Sequence, residues 1–82
     1  MFDYLTSYQM PGGKHIAKVY TLAKIAFLLA HDELTGCTNI RVWRVLPNQE
    51  PQPVWIHHDA KSRTVWLTDR YGYEIESTQY PA

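Results

Sequence analysis

Apolar positions change period once along the chain. From Lys14 to about Leu34 they recur at helical spacing: at about 100° per residue Ile16, Val19, Ala23, Ala26, Phe27 and Ala30 share one stripe, opposite Lys14, Lys18 and Thr21. The window is rich in Ala, Leu, Ile and Lys, contains neither Gly nor Pro, and has Gly36 where a C-terminal cap belongs. A single helix over residues 14–34 is therefore predicted. Leu22, Ile25, Leu28 and Leu29 project on the side that Lys14 and Lys18 mark as polar. A helix apolar nearly all round must be covered on two sides, so these four residues are the expected self-association surface.

Beyond Gly36 the period becomes two. Residues 39–46, 54–58, 63–68 and 71–77 are short runs rich in Val, Ile, Trp, Thr and Tyr, separated by turn-forming clusters such as Asn48-Gln49-Glu50-Pro51 and Asp59-Ala60-Lys61. Four short strands with short connections predict an antiparallel meander over 39–77. In residues 1–13 Phe2, Tyr4, Thr6, Tyr8 and Met10 alternate with Asp3, Leu5, Ser7 and Gln9 before Pro11-Gly12-Gly13, a pattern suited to an edge strand or an irregular arm. Residues 78–82 read as a tail. The fold class predicted is α+β: one domain, residues 1–82, with one long helix packed on one face of a four- to five-stranded antiparallel sheet.

Strand parity then sorts the side chains into two faces. Val42, Val54, Ile56, Val65, Leu67, Tyr73 and Ile75, extended by Ile40 and Leu46, take the parity of a helix-facing core. The other face receives Trp43, Trp55 and Trp66 with Arg41, His57, Glu74 and Glu76; Arg44 falls on the core parity. One helix shields one face of a sheet, and three indole rings left in water make a large apolar patch. Either the N-terminal arm or the tail folds over them, a bulge in one strand turns a Trp into the core, or a partner covers them. Trp and Arg are the residue types most enriched at binding hot spots, which makes Arg41, Trp43, Trp55, His57 and Trp66 the candidate partner-binding set.

Composition narrows the function classes. The chain has 82 residues, 8 Lys plus Arg against 8 Asp plus Glu, and one Cys. A chain of this size has no room for a second core or a large enclosed substrate cavity. Zero formal net charge removes the global positive field that drives non-specific binding to nucleic acid or membranes. Cys37 has no partner for an intramolecular disulfide, and the longest apolar run, Ile25 to Ala30, is far shorter than the roughly 20 residues that span a bilayer. A cytoplasmic protein with no membrane contact is expected.

The constellations that carry chemistry are sparse. His57 and His58 are adjacent on a strand and point to opposite faces, so they cannot readily share an ion, and His58-Asp59 reads as a strand end entering a turn. Pro11-Gly12-Gly13-Lys14 lacks the full phosphate-loop spacing and reads as a turn. No metal, cofactor or catalytic group is therefore assigned. In element order, and in carrying Arg41, His57, Arg63 and Tyr73 on predicted strands, the chain resembles small RNA-cleaving bacterial toxins, a fold-level likeness that implies an RNA-binding or RNA-cleaving domain as the alternative function. The leading expectation is a non-enzymatic module that docks its Trp- and Arg-bearing face on another protein and forms a homodimer. By analogy, one-sheet chains of this length are frequent among phage and mobile-element inhibitors that act by occluding a host surface.

Overall fold

The computed structural model describes residues 2–31 and 36–81. Its elements follow in the order β1 (Asp3–Gln9), β2 (His15–Thr21), α1 (Leu22–Ala30), β3 (Thr38–Val45), β4 (Gln52–Asp59), β5 (Thr64–Thr68) and β6 (Glu74–Gln79). The six strands form one antiparallel sheet in the order β2-β1-β3-β4-β5-β6. The class is α+β as expected, but the sheet is larger and the helix much shorter than predicted.

Residues 15–21 account for that difference. Gly12 and Gly13 take φ values of 97° and 94°, which side chains disfavour, and so reverse the chain between Met10 and Lys14. The Met10 N–H donates to the Lys14 carbonyl at 2.7 Å, and the Gly13 N–H to the Met10 carbonyl at 2.9 Å. With the turn closed, His15–Thr21 pairs with Gln9–Asp3 along its whole length. A strand whose apolar inward positions are Ile16 and Tyr20 displaces the first half of the expected helix. The helix starts one turn signal later, at Thr21, whose hydroxyl accepts the Lys24 N–H at 3.2 Å. It ends with the His31 N–H donating to the Phe27 carbonyl at 3.1 Å. Leu34, the expected helix end, lies outside the described residues.

The N-terminal segment is neither arm nor edge. β1 sits between β2 and β3, with Tyr4, Thr6 and Tyr8 buried toward the helix. Leu22, Ile25 and Ala26 pack with Tyr4, Val42, Val54, Val65 and Leu67 to form the main core, and Ile56 and Ile75 pack against it. Tyr73, predicted to lie in that core, is 72% exposed, because the chain enters β6 only at Glu74. No described helix is long and apolar enough to cross a membrane.

The sheet curls around α1, which lies against β2, β5 and β6. One bond marks how far it curls: the Tyr4 hydroxyl on β1 donates to Glu76 Oε1 on β6 at 2.6 Å, although β3, β4 and β5 intervene in the sheet. Glu76 reaches this position through a bulge. Leu67 pairs with Glu76 but Thr68 with Glu74, so Ile75 is the extra residue and Glu76 turns to the inner face. This corrects the expectation that Glu74 and Glu76 share the tryptophan face. Burial, the hydrogen bond to Glu76 and the Glu76 charge all raise the Tyr4 pKa above the ordinary tyrosine value, against a smaller opposing effect of Arg44.

Candidate functional site

The outer face is built as parity dictates. Trp43 stands between Leu5 of β1 and Pro53 of β4, while Trp55 pairs with Thr68 and His57 with Trp66. All five candidate partner-binding residues therefore lie on the face opposite the helix. They fall into two groups. His57 stacks on Trp66 at 5.2 Å between ring centroids and 14° between planes, and its Nε2 lies 2.8 Å from Thr68 Oγ1. That pair covers much of its own apolar surface. Trp55 is 48% exposed, and Arg41 beside it is exposed as well.

Arg41, Trp43 and Trp55 border a groove of about 660 Å³ that the sequence does not announce. It arises because β3 and β4 pair over only three positions, Val42 with Val54, Trp43 with Pro53 and Arg44 with Gln52. Beyond these the ladder stops, leaving Thr38–Arg41 of β3 and Trp55–Asp59 of β4 without pairing to each other. Ile40, Val42, Val54 and Ile56 line the groove from the inner side, and Leu29 of α1 reaches it from behind. It is thus a slot through the sheet with the helix end as its floor.

Local sequence explains the opening. Ser7 pairs with Arg41 but Gln9 with Thr38, so Asn39 and Ile40 together oppose Tyr8. This bulge holds Asn39 at φ 55°, a left-handed conformation that Asn tolerates, and the Asn39 side-chain amide donates to Gln9 Oε1 at 2.7 Å. A bulge bends its strand and disrupts local pairing, and the ladder to β4 ends at Val42, just past it. An Asn before a β-branched run is the legible signal, but it does not say that the two strands will stand apart.

The self-association expectation fares differently. Leu22, Ile25 and Leu28 are buried against the sheet and Leu29 is half-buried at the slot floor. The surplus face of a 21-residue helix does not exist in a nine-residue one. Nor does the N-terminal arm cover the tryptophans, since β1 lies within the sheet.

Arg44 resolves the parity anomaly. It lies on the inner face in the paired part of β3, where its guanidinium stands 5.8 Å from the Phe2 ring and Nη2 donates to Gln52 Oε1 at 3.2 Å, while Nε is buried without a hydrogen-bond partner. With Glu50, Asp69, Arg70 and Tyr71 it borders a second groove of about 550 Å³. Asp69 is occupied there in shaping the β5–β6 turn, accepting the N–H groups of Tyr71 and Tyr73 at 2.8 and 3.0 Å.

Of the four residues on which the likeness to RNA-cleaving toxins was expected to rest, Arg63 and Tyr73 stand just before β5 and β6 rather than on strands, so the four do not assemble on one face. His58 points inward, its Nε2 2.8 Å from the Tyr80 hydroxyl, while His57 points outward. Among the described residues no three His, Cys, Asp or Glu side chains group closely enough to hold a metal ion. No family model, curated protein or solved structure matches the chain.

Proposed function

We propose that the protein is a non-enzymatic protein-binding module that docks its outer face, centred on Trp55, Trp43 and Arg41, against a partner protein and acts by occluding the surface it covers. The observation that carries this reading is the half-exposed Trp55 at the mouth of an apolar slot with one cation, Arg41, beside it. A large aromatic ring on a rigid strand loses little conformational freedom on binding, and a neighbouring Arg adds directional hydrogen bonds. The rest of the face supplies fit: His57 and Trp66 are already stacked and extend the flat surface.

The experiment is affinity capture from host-cell lysate with the wild type, Trp55→Ala and Arg41→Glu, after near-ultraviolet circular dichroism has established that all three fold alike. A protein retained by the wild type and lost by both variants is the expected result. Identical retention by all three removes the outer face from the function. Retention of RNA instead, released steeply as salt rises, replaces the reading with nucleic-acid binding.

A further inference from the structure

We infer that the slot between β3 and β4 accepts an extended segment of the partner protein as an added strand, with apolar residues facing inward and an acidic residue facing Arg41. This rests on the reading of the chain as a protein-binding module and specifies how the partner is held.

Two features of the slot point to a strand rather than to a globular surface. Its walls are strand edges whose mutual pairing has stopped, Thr38–Arg41 on one side and Trp55–Asp59 on the other. Strand edges that lack a neighbour are templates for an incoming chain, which then gains main-chain hydrogen bonds. The β3 edge offers four residues, and an extended chain covers that length with about four or five residues at roughly 3.3 Å each. A slot of about 660 Å³ lies within the roughly 300–1,000 Å³ typical of ligand clefts. An inserted strand runs antiparallel to one wall and parallel to the other, and both pairings are permitted.

The lining then selects the side chains. Alternate residues of an inserted strand point to opposite faces of the sheet. Those pointing inward meet Leu29, Ile40 and Ile56 and must be apolar. Those pointing outward lie in the plane of Trp55 and Arg41. Among the described residues Arg41 is the charged one of the lining and no acid there offsets it, so a carboxylate placed across from it gains a charge-assisted pair. The occupant is therefore an extended, alternating apolar and acidic segment.

Hydrogen exchange of the full-length protein, read amide by amide, tests this with three capped synthetic peptides: alternating Val and Glu, alternating Val and Lys, and the Val–Glu peptide methylated on alternate backbone nitrogens. The Val–Glu peptide is expected to slow exchange at Thr38–Arg41 and Trp55–Asp59, leaving the β1–β2 amides as an unchanged internal reference. The Lys peptide is expected to bind about tenfold more weakly, and Arg41→Glu to reverse that preference. Methylation along the bonding edge is expected to abolish protection. Equal protection by methylated and unmethylated peptides, or none by any peptide at millimolar concentration, overturns strand addition. Failure of strand addition is distinguishable from failure of the docking reading: a captured partner that still depends on Trp55 but leaves the slot amides unprotected sinks only the former.

Discussion

Two junctions in the same sheet behave differently. β1 and β2 pair along their full lengths across a tight turn, whereas β3 and β4 pair over three positions and then part. Both are antiparallel and both join strands rich in apolar residues. What separates them is local backbone chemistry: Gly12 and Gly13 supply the positive φ values that let one hairpin close, while the bulge at Asn39, itself at positive φ, stands where the other ladder has stopped. A strong sheet edge and an open slot thus come from the same kind of residue, placed at the turn in one case and within the ladder in the other. The molecule tolerates the opening because the curled sheet is held elsewhere, by α1 and by the Tyr4–Glu76 bond.

Breaking the closed side carries the largest expected effect. Ile25→Ala removes a fully buried side chain from the helix that ties β2, β5 and β6 together, and should cost about 2–5 kcal/mol in urea unfolding. If the loss is under about 1 kcal/mol, the helix does not hold the curl. Next comes Tyr4→Phe, which deletes a hydrogen bond to a carboxylate and should cost about 1.5–3 kcal/mol. The same tyrosine sets a pH dependence. In the unfolded chain its phenol ionises near 10.0, while the folded state holds the proton to higher pH. Above that pH the folded state binds more protons, so stability falls as pH rises, and Tyr4→Phe should flatten the decline. Unfolding curves at several alkaline pH values read this directly.

The bulge itself comes third. Asn39→Val forces a β-branched residue into a left-handed conformation and should cost about 1–2 kcal/mol, whereas Asn39→Gly should be close to neutral. Equal losses in the two variants would mean that the backbone conformation is not what matters there. Thr21→Ala removes the helix cap at the point where β2 becomes α1 and should cost about 1 kcal/mol in thermal unfolding. The smallest effect on stability, under about 1 kcal/mol, is expected for Trp55→Ala, since nearly half of that residue already faces water. Its effect on partner capture should be the greatest of the set. A large loss of stability with unchanged capture would make Trp55 a packing residue instead.

Much of the β-rich half was legible in advance. The period-two runs after Gly36 locate β3 to β6 to within a few residues, and parity alone puts Trp43, Trp55 and Trp66 opposite the helix. Parity failed only at Glu76, where an extra residue in β6 reverses the face, and at Tyr73, which sits in a turn. The first half was harder to read because His15–Thr21 satisfies two periods at once. Ile16 and Tyr20 are four apart, a spacing that puts them on one face of a helix and also on one face of a strand. The choice was made by Pro11-Gly12-Gly13 closing a hairpin onto β1.

The order of hydrophobic and polar residues by itself determined the α+β class, the meander and the composition of the outer face, because each depends on the alternation of neighbours within a single strand. It also placed the glycine turn, whose preferences are local. Tertiary structure decided the rest: that β1 lies inside the sheet, that Leu22, Ile25 and Leu28 are core residues, and that a slot opens beside Trp55. These follow from which strand edges meet and how far the sheet bends around one short helix. Such contacts join residues as distant as Tyr4 and Glu76, and no periodicity along the chain encodes them.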